Sequence, residues 1–306
     1  MRITIIGPGA MGCLFAAALG KAGNEVTLVD HVKERAALIS SQGIHVEGVT
    51  GTYAVKVPVV VSIPPNPPDA VLLCVKSNQT QEVASTLRAW LQGAKVLVTL
   101  QNGVGNREIL SALFGADRVL GGVTAEGATL LGPGKIRHAG KGETVIGPTT
   151  LPGGYADYLT SILAQAGFEA RSEESVDDVI WGKLIINVGI NALTALTRLR
   201  NGRLPQIEGS RSVMKEAVVE ATAVARGKGI HLPFPDPLAR VEEVCHLTAN
   251  NIASMLQDVM RNKLTEIDFI NGAIVREGKA LHIPTPVNAT LTSLVKVIEE
   301  TYEERI

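Results

Sequence analysis

The sequence predicts an α/β fold class, with a parallel-sheet domain at residues 1–172 and an all-α domain at residues 173–306. Three observations support this prediction. Apolar β-branched runs alternate with helical stretches in the first half, a glycine-rich turn follows the first run, and strand signals weaken after residue 176. We expect the boundary near residues 170–175, and a cleft between two such domains is a common place for a ligand.

The first half alternates strands and helices. The run RITII at residues 2–6 predicts a buried strand, and the Ala- and Leu-rich stretch that ends before Gly23 predicts a helix. Residues 63–69 predict a rigid connector, because their prolines exclude a helix or a central strand. The predicted strands are 2–6, 25–30, 69–75, 94–100, 119–129, 134–139, 143–147 and 168–171, with a β-hairpin at 44–59 around Gly48 and Gly51. The predicted helices are 10–22, 33–42, 78–91, 105–113 and 153–166.

The second half has helical periodicity, with turn residues at 200–210 and 227–237. The predicted helices are 176–197, 210–228, 237–258, 262–281 and 286–304. Because no stretch reaches about 18 uninterrupted apolar residues, we expect no membrane-spanning helix. Glycines interrupt the apolar N-terminus, so a signal peptide is not expected either.

Composition limits the classes of function. The 29 Lys and Arg residues and 30 Asp and Glu residues give a net charge of −1. Proteins that bind nucleic acids or membrane surfaces need a basic face, so this balance argues against both classes. With 45% hydrophobic residues, a 306-residue chain can bury a full core without disulfides. The three cysteines lack the paired spacing of a disulfide framework or a metal site. We therefore expect a cytoplasmic globular enzyme or small-molecule binder without a metal, a nucleic-acid partner or a membrane partner.

The segment GPGAMG directly follows the first predicted strand and opens the first predicted helix. Its first glycine permits a tight turn, the second lets the backbone approach a pyrophosphate, and the third allows close helix–strand packing. The helix N-terminus also presents N–H groups and partial positive charge to phosphates. This context predicts a Rossmann-type dinucleotide-binding domain. The expected cofactor-binding residues are Gly7, Pro8, Gly9, Ala10, Met11 and Gly12.

Asp30 ends the second predicted strand, where an acidic residue binds the adenosine ribose hydroxyls and favours NAD(H). A 2′-phosphate about 4 Å from this carboxylate would be repelled by ~1 kcal/mol in water and more at lower dielectric. Alternatively, Asp30 turns away, and the basic residues that follow it reach a 2′-phosphate. These residues are His31, Lys33 and Arg35. Both Asp30 and His31 are therefore candidate cofactor contacts, and the choice between NAD(H) and NADP(H) stays open.

Two further candidates end predicted parallel strands, where doubly wound sheets bind ligands. Lys76 follows the strand DAVLLCV, and Asn102 follows the strand AKVLVTL. We expect both residues to contact the cofactor, and Asn102 to contact the substrate as well.

The segment WGKLIINVGINALTALT carries polar residues on one face of an apolar helix. Lys183, Asn187, Asn191 and Thr194 recur at intervals of three or four residues, which places them on the same side. A lysine on a buried helix is costly unless it is paired or functional. The alternative is that the lysine extends to solvent and the asparagines bond to neighbouring backbone groups. A polar seam that lines a ligand site is the better interpretation.

Two later segments supply possible partners for this seam. Asn251 and Ser254 lie three residues apart on a predicted helix, and this spacing is compatible with a solvated face or with two side chains that face one ligand. Glu266 lies among apolar residues, and a buried glutamate needs a partner, for which Lys183 is the natural candidate.

These segments together resemble the ketopantoate reductase (2-dehydropantoate 2-reductase) family. The resemblance covers almost the whole chain in the order GPGAMG, VKSNQT, QNGVG, WGKLIINVGINALTAL, NIASMLQD and KLTEIDFINGAIV. The lysine–asparagine seam combined with the last two segments is more specific than the glycine pattern alone. The resemblance implies reduction of the small 2-keto acid ketopantoate to pantoate with NADP(H), on the route to pantothenate and coenzyme A.

By the same resemblance, Lys183 is the general acid and Glu266 lies near the cofactor and the substrate. The positions that match substrate-binding residues are Asn102, Asn187, Asn191, Asn201 and Ser254. Chemistry supports these roles, because hydride addition to a ketone creates an alkoxide that needs a proton and a nearby positive charge.

Two alternatives stay open. One is a reductase of another branched 2-keto acid, and the other is a non-catalytic dinucleotide-sensing protein, which would have no use for Lys183 and Glu266. The apolar helical second half is compatible with a homodimer, although no single sequence feature requires it.

Overall fold

The structure, a computed structural model, describes residues 1–147 and 154–304. The chain forms two compact units. The sheet unit comprises Met1–Gln101 and Asn106–Val176, and the helical unit comprises Asn102–Gly105 and the chain from Asp177 onward. The loop Asn102–Gly105 therefore packs with the helical unit, although its sequence neighbours belong to the sheet unit. The change of unit after Val176 lies near the expected boundary, and the division at residue 172 stays a prediction.

The sheet unit contains twelve strands and six helices within its described residues. The strands are β1 (Arg2–Ile6), β2 (Glu25–Val29), β3 (Ile44–Gly48), β4 (Tyr53–Val55), β5 (Val59–Val60), β6 (Ala70–Leu73), β7 (Val96–Thr99), β8 (Val119–Thr124), β9 (Gly127–Gly132), β10 (Lys135–Gly140), β11 (Thr144–Ile146) and β12 (Ala170–Ser172). The helices are α1 (Ala10–Lys21), α2 (Lys33–Gln42), α3 (Thr80–Thr86), α4 (Arg88–Leu91), α5 (Asn106–Phe114) and α6 (Tyr155–Gln165). The expected start of α6 at residue 153 lies outside the described residues.

An eight-stranded sheet has the order β12-β11-β8-β7-β6-β1-β2-β5. All its pairs are parallel except β8–β11, and Ile5 of β1 is in register with Leu28 of β2 and Leu72 of β6. Strands β6, β7 and β8 are buried along their whole length, which explains their nearly continuous apolar sequences. The order reverses between β1 and β6, so the ends of these strands form the topological switch point where such sheets bind ligands.

A separate four-stranded sheet has the order β4-β3-β10-β9. The predicted hairpin at 44–59 is confirmed, because β3 and β4 are antiparallel with Ile44 opposite Val55. The single strand predicted at 119–129 is wrong. Strand β8 ends at Thr124, and β9 begins at Gly127 in the other sheet. The apolar pattern runs through both strands, and only the tertiary structure separates them.

The helical unit contains six α-helices within its described residues, and the predicted fold class is confirmed. They are α7 (Val176–Thr197), α8 (Glu208–Gly227), α9 (Pro237–Leu247), α10 (Ser254–Val259), α11 (Asn271–Ala280) and α12 (Pro286–Glu300). Short 3₁₀ turns at Asn201–Gln206 and Ile267–Phe269 connect them.

Three predicted helices are interrupted. The helix expected at 78–91 divides at Leu87, and the helix expected at 237–258 divides after Leu247, because the carbonyls of Ala249 and Asn251 accept hydrogen bonds from the turn at residues 201–202. The helix expected at 262–281 begins only at Asn271. Before it, Asn262 adopts φ +51°, and the amide of Lys263 returns to the carbonyl of Asp258, which closes the preceding helix.

Helix α7 is the central element of the helical unit. By length and composition it could cross a membrane, with 22 residues and a mean hydropathy of 1.6, and it is the one such helix among the described residues. However, 67% of that apolar window is buried inside the protein, as expected of a core helix. Its apolar side chains pack against α8, α9, α11 and α12, and buried members of that core include Trp181, Ile185 and Val188.

Close packing around α7 depends on Gly189. A Cβ at this position would lie 2.7 Å from Cγ1 of Val241 and 3.1 Å from Cγ2 of Val218. We expect Gly189→Ala to lower the free energy of unfolding by about 1–3 kcal/mol through overpacking. Urea denaturation followed by circular dichroism measures this change.

Gly209→Ala is the matched control. Gly209 lies in helix α8, where a Cβ would contact no described atom within 4 Å. Alanine there should leave stability unchanged or raise it by up to about 1 kcal/mol. Equal effects of the two substitutions would contradict the packing argument.

Candidate active site

The glycine-rich turn lies between β1 and α1. The amide of Gly7 donates to the carbonyl of Val29, and Gly7 has φ +108°, so a Cβ would lie 2.8 Å from the amide nitrogen of Val75. A Cβ on Gly12 would lie 1.9 Å from the carbonyl oxygen of Gly7. Both glycines are therefore required by backbone packing at the switch point.

Gly9 differs from these two glycines. A Cβ built on Gly9 would meet no atom within 4 Å in the described part of the chain, so local packing does not explain the glycine. Gly9 is also the N-cap of the twelve-residue helix α1, and no described side chain caps that end. A small residue beside uncapped helix N–H groups fits the pyrophosphate of a dinucleotide. Pro8 is buried, and Ala10 and Met11 are half-buried beside the same turn.

Asp30 is buried and bound by Arg35. Its side chain is 0% exposed, and the two guanidinium contacts measure 2.6 Å from Nε to Oδ2 and 2.5 Å from Nη2 to Oδ1. Burial raises the pKa of Asp30, but the bonds from Arg35 and from the amide of Val32 outweigh it, so the pKa lies below its usual value. His31 is 80% exposed, with Nδ1 3.9 Å from Oδ1 of Asp30. The imidazole of His31 and part of the Arg35 guanidinium, and not the carboxylate, therefore face solvent.

A network of buried and half-buried polar residues holds the ends of β6 and β7 together. Gln101 donates from Nε2 to the carbonyl of Val75 at 2.7 Å and to Oγ1 of Thr80 at 2.8 Å. Thr80 donates to Asn106, which in turn donates to Oγ of Ser77 at 3.0 Å. This network supports the segment that carries Lys76, which is half-buried. Sequence reasoning missed Gln101 and Asn106, although polar residues beside a strand end were a usable signal.

Helix α7 carries the predicted polar seam. Lys183 and Asn187 are half-buried, and Asn191 is buried one turn further along the same face. Burial lowers the pKa of Lys183 to about 8, while the carboxylate of Glu266 acts to raise it. Thr194 is also buried, but its hydroxyl donates to the carbonyl of Asn191 and so is satisfied within the helix.

Three predicted residues come together in the helical unit. Glu266 is buried, it interacts electrostatically with Lys183, and its Oε2 accepts a hydrogen bond of 3.1 Å from Nδ2 of Asn102. The segment that carries Glu266 is held in place by the amide of Thr265, which donates to Glu299 at 2.6 Å. An ammonium, a carboxylate and a carboxamide therefore share one polar site within an apolar unit.

A second group of predicted residues surrounds the turn after α9. Asn201 is buried, donates from Nδ2 to Oγ1 of Thr248 at 2.9 Å, and donates its amide N–H to the carbonyl of Asn251. Its Oδ1 is buried and has no hydrogen-bond partner among the described residues. The prediction that Asn251 and Ser254 share a helix face is wrong, because Asn251 is exposed before α10 and Ser254 is the first residue of that helix.

This arrangement is suited to proton transfer. An ammonium with a pKa of about 8 is protonated at neutral pH and donates a proton more readily than an ordinary lysine. Carboxamides can bind carbonyl, hydroxyl and carboxylate groups without adding charge. Within residues 1–147 and 154–304, no group of three His, Cys, Asp or Glu side chains is placed to hold a metal ion.

Comparison with known families matches both halves of the chain. Residues 3–150 match the model of "Ketopantoate reductase PanE/ApbA", and residues 175–299 match that of "Ketopantoate reductase PanE/ApbA C terminal". The 2-dehydropantoate 2-reductase of Halobacterium salinarum is 36% identical over 305 residues, which cover 98% of this chain and 99% of that protein.

Solved structures show the same similarity. A PanE/ApbA family ketopantoate reductase from Ralstonia eutropha has a TM-score of 0.89 and 37% identity, covering 99% of this chain and 100% of the other. A D-mandelate dehydrogenase, described in a ternary structure with NADH and anilino(oxo)acetate, has a TM-score of 0.92 and 27% identity over the same shares.

Proposed function

This chain belongs to the ketopantoate reductase family, and on that premise we propose that it reduces 2-dehydropantoate to pantoate with a nicotinamide dinucleotide. This reaction leads to pantothenate and coenzyme A. The observation that supports it most directly is the desolvated Lys183 in electrostatic contact with Glu266, which is bonded to Asn102. A protein that only senses the dinucleotide has no need for such a proton donor.

Lys183 is proposed as the general acid. When bound, the reduced nicotinamide supplies a hydride to the ketone carbon of the substrate. The ammonium of Lys183 stabilises the negative charge that develops on the ketone oxygen and donates a proton to it. Its lowered pKa increases the driving force for this transfer while keeping the group charged at neutral pH.

Glu266 and Asn102 are proposed to orient the reacting groups. Glu266 keeps Lys183 protonated by its negative charge, and Asn102 fixes one carboxylate oxygen of Glu266. The proposed substrate contacts comprise the α7 asparagines and the residues around the turn after α9. They are Asn102, Lys183, Asn187, Asn191, Asn201, Asn251 and Ser254. The orphan Oδ1 of Asn201 is an acceptor suited to a substrate hydroxyl.

The fingerprint Gly7–Gly12, together with Lys76 and Asn102, is proposed to hold the dinucleotide. We further propose that NADP(H) is preferred to NAD(H). Because the carboxylate of Asp30 is 0% exposed and bound to Arg35, it is not presented to ribose hydroxyls. The exposed imidazole of His31 and the partly exposed, cationic guanidinium of Arg35 can instead donate hydrogen bonds to a 2′-phosphate.

The proposal also covers the domain bounds, the cellular location and the oligomeric state. The dinucleotide-binding domain comprises residues 1–172, and the catalytic domain comprises residues 173–306. A cytoplasmic location suits an enzyme of this biosynthetic route. A homodimer is supported by exposed apolar side chains on α12, Leu294 and Val297.

A second candidate substrate class is an aryl 2-keto acid. The similarity to a D-mandelate dehydrogenase supports it, because that protein's fold matches at a TM-score of 0.92. The lysine–asparagine seam is compatible with either class, so the substrates must be compared directly.

The first test compares ketopantoate with phenylglyoxylate, with nicotinamide absorbance as the readout. We expect kcat/KM for ketopantoate to be at least about 100-fold higher, since buried amides that bind a substrate hydroxyl reject analogues without it. A preference for phenylglyoxylate would support the second candidate. Absence of turnover with both acids would overturn the reductase assignment.

The second test compares NADPH with NADH at saturating ketopantoate. We expect kcat/KM to be about tenfold or more higher with NADPH, because one charged contact to a phosphate is worth about 1.5–3 kcal/mol. His31→Glu should reduce the NADPH value selectively, and Lys56→Glu, an exposed site on the connector after β4, is the control. A preference for NADH in the unmodified protein would contradict the proposed role of the buried Asp30.

The third test concerns Lys183. Lys183→Ala should lower kcat by about 10²–10⁴-fold, the usual contribution of a general acid, and leave the NADPH dissociation constant unchanged by fluorescence titration. In the unmodified protein kcat should fall as pH rises through about 8, because deprotonation removes the acid. Lys215→Ala, an exposed lysine on α8, should change neither quantity.

Glu266→Gln tests the origin of this pH dependence. Glu266 acts to raise the pKa of Lys183, so its removal should move the alkaline fall in kcat to lower pH. An unchanged rate in Lys183→Ala would exclude Lys183 as the acid. A pH limb that stays in place in Glu266→Gln would exclude the proposed coupling.

A further inference from the structure

The loop Asn102–Gly105 lies against the segment that carries Glu266. The amide of Val104 donates to the carbonyl of Phe269 at 2.9 Å. Gly103 has φ +86°, and a Cβ there would lie 2.1 Å from the same carbonyl oxygen. The backbone approach is therefore possible only with glycine, and it places Asn102 beside Glu266.

Arg276 on helix α11 contacts both the Asn102–Gly105 loop and the segment that carries Glu266. Its Nη2 donates to the carbonyl of Val104 at 3.3 Å, and its Nη1 donates to the carbonyl of Asp268 at 3.4 Å. One planar guanidinium thus joins the loop to the turn at Ile267–Phe269. The side chain is 52% exposed, and its Nε lies 3.7 Å from Oε1 of Glu277.

We propose that Arg276 is a positioning residue that holds the Asn102–Gly105 loop so that Asn102 meets Glu266. The inference rests on the proposed function, because it assigns Arg276 an effect on catalysis through residues that the proposal places in the active site. Arg276 itself contacts the backbone carbonyls of Val104 and Asp268. Its removal would take away the guanidinium bridge and leave the Val104–Phe269 and Asn102–Glu266 bonds in place.

Lys296 provides a matched control. Its Nζ lies 2.7 Å from Oδ1 of Asp268, on the same turn that Arg276 contacts, and its side chain is 43% exposed. Lys296→Ala therefore removes a positive charge and one contact from the same turn. The contacts of Arg276 with Val104 and of Asn102 with Glu266 are left in place.

The kinetic test is a double-mutant cycle. We expect Arg276→Ala to lower kcat/KM for ketopantoate about tenfold, and Lys296→Ala to change it less than about twofold. In an Asn102→Ala background, Arg276→Ala should have less than about a twofold further effect, since both substitutions disturb the same contact. Additive losses, or equal losses in Arg276→Ala and Lys296→Ala, would overturn the proposal.

Arg276→Lys separates charge from bridging. Lysine keeps the positive charge but is a single point donor, so it should recover only a minor part of the loss. Full recovery would show that charge alone is responsible and would overturn the bridging role.

Hydrogen–deuterium exchange reads the loop independently of activity. The Val104 amide is bonded to Phe269, and exchange of a peptide covering residues 100–106 should accelerate in Arg276→Ala but not in Lys296→Ala. Unchanged exchange in Arg276→Ala would overturn the inference even if that variant loses activity. An unmodified protein that fails to reduce ketopantoate would defeat the proposed function, while this exchange result would still decide the role of Arg276.

Discussion

Burial of the Lys183 ammonium on an apolar helix disfavours its charged form, and the nearby carboxylate of Glu266 favours that form. The rest of the helical unit supports this balance. Helix α7 is apolar on most sides, so it can be buried, and its Gly189 allows α8 and α9 to approach closely. Glu266 is held by the Asn102 amide and by the bond from Thr265 to Glu299. A lysine that was fully solvated would keep its ordinary pKa and be a weaker acid.

The sheet unit also contains a buried charged group, the carboxylate of Asp30. Asp30 is buried more completely than Lys183, but it is paired with Arg35 at hydrogen-bond distance. The pairing keeps the carboxylate ionised and directs its charge into the protein. As a result, the residues after β2 expose the His31 imidazole and part of the Arg35 guanidinium to solvent, although the sequence contains an acid at the position typical of NAD(H) binding. The groups that a ligand can contact here are therefore set by the partner of Asp30, and not by the position of Asp30 in the sequence.

Several elements could be predicted because their signals are local. The fingerprint Gly7–Gly12 and the strands around it follow from glycine stereochemistry and from β-branched runs. Helix α7 and its polar face follow from periodicity. By contrast, the helix expected at 237–258 is interrupted by contacts that are distant in sequence. The helix expected at 262–281 starts late because a distant contact adds to the local turn at Asn262. Carbonyls of Ala249 and Asn251 bond to the turn at residues 201–202, and the amide of Thr265 bonds to Glu299. Periodicity records burial and does not record these competing partners.

The sequence by itself determined the order of a parallel-sheet half and a helical half, the dinucleotide fingerprint and the face that carries Lys183 and the α7 asparagines. Only the tertiary structure decided that Asp30 faces inward to Arg35, that the loop Asn102–Gly105 packs with the helical unit, and that Arg276 joins this loop to the Glu266 segment. The physical reason is the distance along the chain over which each interaction acts. Stereochemistry and periodicity act between neighbouring residues, whereas a buried charge or carbonyl is satisfied by whichever group the fold brings within hydrogen-bond distance.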